Sequence, residues 1–423
     1  MDAQLIKEMN MNAVRSHYPP DEHFLDMCDS LGLVYMDELA GWQNSYDSKV
    51  GAKLVKEMIE RDVNHPCIIL WSNGNEGGWN TQTDPLFAQY DRLQKRHMVH
   101  PWADFNELDT HHYPTYLTGV ARFTNGYKVF MPTEFMHAMY DQGGGAGLRD
   151  FWDRWCTNPL FAGGFIWVYC DEAPKRSDKG GILDSDKSNA PDGVVGPRRE
   201  KEGSYYAIRA QWSPIQLKPL LITNHFDGSF LLTNEYTFTN LKDCRMSYKV
   251  LTCGTPLQGN TETGKVIAEG GVQLPSINPG ETGTARFELP DSFREGDILE
   301  LEAFDKEGKS ICNWTYPIHL VKRYFERKLT QAAPTPAPPK AEARQTADAI
   351  ELKSSKVCVT FDAATGMIRH ITSGETEVPF KDGPVAVGMK MRYEPSLSYT
   401  RHSSDGAIYC AKYKGAADSI VWR

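Results

Sequence analysis

At 423 residues the chain is long enough for two or three domains, each burying a core of its own. Its 40% hydrophobic and 24% charged content are ordinary for a globular protein, and no apolar run reaches the length of a membrane span. The formal charge of −9 argues against a nucleic-acid partner, because phosphate binding needs a basic surface that this composition lacks. Nine cysteines without a Cys-x-x-Cys pair argue against a zinc site, and the odd count argues against a full disulfide framework, so they read as core thiols. The opening "MDAQLIKEMNMN" is amphipathic and has no charged segment followed by an apolar one, so it is no secretory signal. Compartment is not readable, and the periplasm and cytoplasm of a bacterium both stay open.

Three compositional regimes follow. Residues 1–212 alternate short β-rich runs with helical patterns, the mark of βα units around a parallel sheet. A helix is predicted from Asp21 to Leu31 with Phe24, Leu25, Cys28 and Leu31 on one face, followed by the strand "LVYMDEL". A second helix, Ser48 to Arg61, carries Val50, Leu54, Met58 and Ile59 on its apolar face and leads to the strand "CIILWS". Residues 213–322 read as strands such as "SFLLTNEYTFTN" and "DILELEAFD" between Gly, Asn and Asp turns, an immunoglobulin-like β-sandwich. A Pro/Ala-rich spacer is predicted at 323–346, and 347–423 reads as the start of a further all-β module.

The chemistry lies in the first regime. Polar groups follow apolar runs four times: Arg15 and His17 after "MNAV", Asp37 and Glu38 after "LVYM", Asn75 and Glu76 after "IILWS", and Glu134 after "KVFMP". In a (β/α)8 barrel the C-terminal strand ends face one pocket, so such residues converge although far apart in sequence. One strand-end carboxylate could equally be a helix cap or an ion-pair partner; four in register favour a site.

The segments "NMNAVRSHYP", "RDVNHPCIILWSNGNE", "PTEFMHAMYDQGGGAGLRDFW" and "GGFIWVYCDE", in this order, resemble the catalytic TIM barrel of family 2 glycoside hydrolases. That family includes β-galactosidases, β-glucuronidases and β-mannosidases. The resemblance covers residues 1–212, and "LVKRYFER" and "VCVTFDAATGMIRHITSGETE" are similar to the sandwich domains that follow this barrel in large bacterial β-galactosidases. It implies a retaining exo-β-glycosidase for terminal β-galactosides, with a β-glucuronidase or a non-catalytic carbohydrate-binding relative as alternatives. Its partner would be an oligosaccharide or glycoside; no cofactor, nucleic acid or membrane is expected, and a homo-oligomer is left open. It also implies that the barrel is incomplete, the first strand and the domains preceding it being missing, and that the last module stops early.

Carried over by position, the resemblance makes Glu76 of "GNE" the general acid/base and Glu134 of "PTEF" the nucleophile. Retaining hydrolysis needs two such carboxyl groups about 5 Å apart. Asn75 would bind the sugar 2-hydroxyl, and the glycines after Glu76 would leave room for the sugar. Tyr113 of "DTHHYPT" would hydrogen-bond the nucleophile, the alternative being a packed tyrosine. Arg15, His17 and His137 would contact substrate or nucleophile, with a buried ion pair as the alternative for Arg15. Trp167 would stack on the sugar or else be core. Asp37 and Glu38 are read as one pocket carboxylate and one structural one, unranked, with Asp37 as the expected substrate contact. At least one of His111 and His112 is read as a neutral structural histidine. Where metal-dependent members have a glutamate and a histidine for magnesium, this chain has "LAGWQN", so no metal is expected.

Overall fold

The structure, a computed structural model, describes residues 1–136, 147–184, 191–218, 221–223, 225–254, 264–320, 341–380, 383, 390–403, 406–415 and 419–422. The chain forms two compact units, Met1–Tyr324 and Phe325–Arg423.

The first unit begins with helix α1 (Asp2–Glu8), strand β1 (Ala13–Arg15), helix α2 (Glu22–Leu31), strand β2 (Val34–Trp42), helix α3 (Ser48–Asp62), strand β3 (Ile68–Asn75), helix α4 (Asp84–Tyr90) and strand β4 (His97–Val99). The four strands lie parallel in chain order. Short strands β5 (Asp104–Phe105) and β6 (Leu108–Asp109), helix α5 (Tyr116–Asn125) and strand β7 (Val129–Phe130) follow, with β6 parallel to β7. Parallel bridges His112 to Glu134, Phe130 to Phe161, Phe135 to Ile166 and Cys170 to Val195 carry the same strand-beside-next-strand progression onward. Helix α6 (Leu148–Trp155), a hairpin of β8 (Lys175–Arg176) with β9 (Ile182–Leu183), and helix α7 (Gly203–Gln211) complete this part.

Two apolar layers follow from the period-2 geometry of the strands. Met36, Leu70, Val99, Leu108, Met131 and Phe165, contributed by successive strands, form the inner cluster. Side chains of the other phase, such as Tyr35, Leu39, Trp71 and Phe130, pack outward into the large core shared with the helices. Asp21 caps α2 by accepting from the His23 amide, and Asp47 caps α3 by accepting from the amides of Lys49 and Val50. The predicted face of α2 packs inward as expected, Leu25 and Cys28 fully and Phe24 and Leu31 in part. The face of α3 is rotated from expectation: Gly51, Val55, Met58, Ile59 and Asp62 are buried while Val50 is exposed. Gly51, which carries no hydropathic signal, sits close to Thr83 and lets the helix turn that way.

The same unit continues as two antiparallel sheets around a second core. One is β10 (Ile215–Leu217), β11 (Ser229–Asn234) and β14 (Thr282–Arg286). The other, in spatial order, is β13 (Lys265–Gln273), β12 (Arg245–Thr252), β15 (Ile298–Phe304) and β16 (Ser310–Pro317). Alternate residues point inward, Met246, Tyr248 and Val250 from β12 against Leu299, Leu301 and Ala303 from β15. Asn10 ties this sandwich to the barrel by donating from its amide to the carbonyls of Arg209 and Ile311.

The second unit has a five-stranded antiparallel sheet, β17 (Glu342–Gln345), β18 (Ala349–Lys353), β19 (Val357–Asp362), β20 (Ile368–Ser373) and β21 (Thr376–Val378). Strands β22 (Arg392–Tyr393), β23 (Tyr399–Ser403), β24 (Gly406–Lys414) and β25 (Ser419–Trp422) form a second sheet, and Ile350, Tyr409, Ala411 and Tyr413 make the shared core. Most of the spacer predicted at 323–346 lies outside the described residues. Its end is a strand rather than a spacer, since Glu342–Gln345 pairs with β18.

Candidate active site

Strand phase decides which side chains reach the site. On β2, Met36 points to the inner cluster, so Glu38 two residues on points the same way and Asp37 points outward to the helices. The expectation of Asp37 as a substrate contact is therefore corrected: its carboxyl faces Asp62 on α3, and Glu38 takes the place in the site. Burial pushes the Asp37 carboxyl up to about 9, and the neighbouring Asp62 adds to it.

Arg15, at the end of β1, organises the strand-end cluster. Its Nε donates to Glu38 Oε2 at 2.9 Å, its Nη1 to Glu134 Oε1 at 2.9 Å and to the Thr133 carbonyl at 3.1 Å, and its Nη2 to Asn75 Oδ1 at 2.6 Å. Burial pulls the guanidinium down, and Glu38 and Glu134 beside it more than offset this, so it stays charged. The bond to Asn75 orients that amide, turning its N–H edge away from Arg15. Ser72 Oγ donates to Glu38 Oε2 at 2.8 Å, so Glu38 is the buried counter-charge that holds the arginine in place.

Glu134 also receives the Tyr113 hydroxyl on Oε2 at 2.5 Å. His17 lies with Nδ1 3.2 Å from Glu38 Oε1 and Nε2 3.5 Å from Glu134 Oε1, and its ring is 4.8 Å from that of Trp167. Trp167 donates its indole N–H to Asp192 Oδ2 at 3.2 Å, and burial pushes the Asp192 carboxyl up to about 6, with Glu172 adding to it. Trp167 is thus a half-buried wall beside the cluster rather than a core residue. His137 lies outside the described residues. Arg15, His17, Asn75, Glu76, Tyr113, Glu134 and Trp167 are brought together.

Glu76 sits just past β3 with φ of +46°, a left-handed conformation that is uncommon outside glycine. Trp42, at the end of β2, donates its indole N–H to Glu76 Oε2 at 2.9 Å, and His112 Nδ1 lies 3.0 Å from Oε1. Burial raises the Glu76 carboxyl, and the bonds from Trp42, His112 and Gln43 outweigh it, leaving it below the usual range while His112 donates. Of the two glycines after Glu76, Gly77 faces open space, whereas Gly78 serves a close backbone approach. A Cβ on Gly78 would lie 2.5 Å from the Gly41 carbonyl carbon, and one on Gly74 would lie 2.3 Å from the Gly78 carbonyl oxygen. They let the backbones after β2 and β3 touch, which brings Trp42 to Glu76.

Sequence reasoning missed Trp42, Ser72 and Thr133, and read a structural role for at least one of His111 and His112 without separating them. His112 bridges the two glutamates, its Nδ1 also 3.4 Å from Glu134 Oε2. His111 does not join them and lies on the side of Asp109, which pairs with Arg122 at 3.0 Å. One oxygen of Glu76 and one of Glu134 lie within 4.8 Å of each other. That separation suits attack on a sugar carbon by one carboxylate while the other protonates the leaving oxygen.

Together with His112 these glutamates could in principle ligate a cation, but the donor set does not suit magnesium. A hard cation wants several carboxylate or water oxygens. Here Glu134 already holds a guanidinium 2.9 Å away, and Glu76 holds the nitrogens of Trp42 and His112. A second triplet, Asp29, His65 and Cys67, is a tether between α2 and β3: Asp29 accepts the Cys67 amide at 2.8 Å and lies 2.7 Å from His65 Nδ1.

The family described as glycosyl hydrolases family 2, TIM barrel domain, matches residues 1–183, and β-galactosidase domain 4 matches residues 230–314. Over both stretches the chain is similar to the family 2 glycoside hydrolases. A β-galactosidase of Pectobacterium atrosepticum is 28% identical over 389 residues, covering 75% of this chain and 34% of that protein. One from Actinobacillus pleuropneumoniae is 25% identical over 364 residues, covering 71% and 34%. The chain therefore spans about a third of the length of the curated relatives it matches. Among solved structures, a β-glucuronidase of Bacteroides uniformis aligns with 100% of this chain and 59% of its own at 14% identity, with a TM-score of 0.42.

Proposed function

We propose that this chain carries the catalytic barrel of a retaining exo-β-glycosidase that removes terminal β-galactosyl groups, with Glu134 as nucleophile and Glu76 as general acid/base. The observation that carries the reading is the asymmetry between two glutamates whose oxygens lie within 4.8 Å. Glu134 is gripped by a permanent cation and a short phenol bond, which keep it an anion ready to attack. Among the described residues Glu76 has no permanent cation on it and meets a titratable histidine, as a group that must give and take a proton requires. Attack by Glu134 forms a glycosyl ester while Glu76 protonates the departing oxygen; Glu76 then takes a proton from water as the ester is hydrolysed. Asn75, oriented by Arg15, turns its amide N–H edge toward the 2-hydroxyl, and Trp167 forms the wall against which the sugar ring stacks. The choice of galactose rests on the curated relatives, which are β-galactosidases.

The test is a panel of nitrophenyl β-galactoside, β-glucuronide and β-mannoside with the full chain. Galactoside hydrolysis, abolished in Glu134→Ala and restored by azide as the α-glycosyl azide, is expected. In Glu76→Ala, substrates with good leaving groups should survive best and azide should give the β-glycosyl product. An α-azide from Glu76→Ala would reverse the two roles, preference for the glucuronide would replace the sugar, and no turnover on any member would favour a non-catalytic carbohydrate binder.

A further inference from the structure

His112 is 3% exposed, and the groups around it determine where its protons lie. Its Nε2 is 2.8 Å from Thr133 Oγ1, and that hydroxyl donates its own hydrogen to the Thr110 carbonyl at 3.0 Å. Thr133 can therefore only accept from the ring, so Nε2 carries a hydrogen. Nδ1 then faces Glu76 Oε1 at 3.0 Å and Glu134 Oε2 at 3.4 Å. A bare ring nitrogen against two carboxylates would set lone pair against lone pair, so one further proton must lie between His112 and Glu76. Glu134 is a poor host for it, because Arg15 and Tyr113 both donate to that carboxylate. Among the described residues, the rings beside it are Trp102, stacked 6.2 Å away, and Tyr113, edge-on at 5.9 Å.

We propose that His112 is the positioning residue that keeps the acid charged with its proton: one proton is shared between His112 Nδ1 and Glu76 Oε1, passes to the leaving oxygen and is recovered from water. This rests on the reading of Glu76 as general acid. In the first step the bond from the sugar C1 to the leaving oxygen breaks, its electron pair stays on that oxygen, and the shared proton joins it while Glu134 bonds C1. His112 is then neutral on Nε2–H and Glu76 is an anion. In the second step water bonds C1, Glu134 departs with its electron pair, and the water's proton returns to the Glu76–His112 pair. Burial pulls the His112 imidazolium down and Glu134 only partly offsets it, with Arg15 adding to the burial, so the shared proton leans toward Glu76. This also accounts for an acid whose other contacts are donors: with Nδ1 accepting, the His112 contact supports the protonated carboxyl instead of the anion.

The state of His112 is open to direct observation by two-bond proton–nitrogen correlation on the full chain labelled with 15N-histidine, the His112 signals being assigned by their loss in His112→Gln and their shift in Glu76→Gln. A protonated Nε2 with Nδ1 shifted between the bare and protonated positions near pH 7 is expected. A neutral ring with hydrogen on Nδ1 and a bare Nε2 would overturn the proposal. In kinetics, His112→Gln should move the alkaline limb of kcat/KM downward by at least about one pH unit. It should also slow a phenyl glycoside at least about tenfold more than a dinitrophenyl one. An unmoved limb with both substrates slowed equally would mean a merely structural histidine and would also overturn it. If no glycoside is turned over at all, the functional reading fails, while the nitrogen shifts still decide the shared proton.

Discussion

Asp37→Asn should remove a pH dependence that is built into the wall of the barrel. Asp37 is fully buried, neither of its oxygens receives an ordinary hydrogen bond, and its neighbour is the carboxyl of Asp62. Two buried carboxyl groups can face each other only if a proton lies between them. Arg61 holds both oxygens of Asp62 at 2.6 Å, so Asp37 keeps the proton, with its carboxyl raised from 3.8 to about 9. Below about pH 4 the folded and unfolded chains are both protonated there, and the group adds no pH dependence. From about pH 4 to about 9 the folded chain retains a proton that the unfolded chain has released, so stability falls as pH rises, by ~1.4 kcal/mol per pH unit. Between about pH 5.5 and 8.5 the accumulated loss is ~4 kcal/mol at most, reduced by whatever water reaches the pair. Asparagine cannot release a proton, so the variant should lack this slope and overtake the parent as pH rises. Urea unfolding followed by tryptophan fluorescence measures it in the first unit, since every tryptophan except Trp422 lies before residue 325. Parallel pH curves for parent and variant would refute the shared proton.

Tyr113→Phe removes a 2.5 Å bond to the ionised nucleophile, a kind of bond worth ~1.5–3 kcal/mol, so kcat/KM should fall roughly 10- to 150-fold with folding intact; an unchanged value would show that the bond does not serve catalysis. Trp42→Phe keeps a ring and removes the donor to Glu76 Oε2, which should move the alkaline limb of the pH profile upward by roughly half a pH unit, opposite in sign to His112→Gln; a downward shift would contradict the assigned contacts. Gly78→Ala should cost about 1–3 kcal/mol of stability in thermal unfolding, because its Cβ would meet backbone atoms of Gly41 and Trp42 that cannot move aside as a side chain could; an unchanged melting curve would remove the close approach from the account.

What could be read in the sequence and what could not divides along one physical line. Apolar runs ending in Arg15, Glu76 and Glu134 announce strands buried on both faces that end at a polar site, although β2 itself runs on through Asp37 and Glu38. That same double burial hides the phase of the strand. In β2 the residues on both sides of Asp37 and Glu38 are apolar and buried, so hydropathy does not say which carboxylate looks inward. The inward layer emerges only when Met36 is seen beside Leu70, Val99 and Met131 from other strands. Single-residue contacts between distant segments are less legible still: nothing local to "LAGWQN" tells that Trp42 will donate to Glu76, or that Gly41 and Gly78 make the approach.

The histidine pair in "DTHHYPT" shows why the acid's partner in particular escapes a linear reading. Consecutive residues on an extended segment face opposite sides, so one of the two had to turn away, and their identity is no guide to which. The choice is made by β7 and the residues after it: the bridge from His112 to Glu134 sets the register, and Thr133, one residue before the nucleophile, takes the Nε2 hydrogen. A threonine that can only accept from His112 thus determines which nitrogen faces Glu76. Glu76 and Glu134 are thereby coupled through one ring, and any change that shifts the register at Thr133 should disturb both glutamates together rather than one alone.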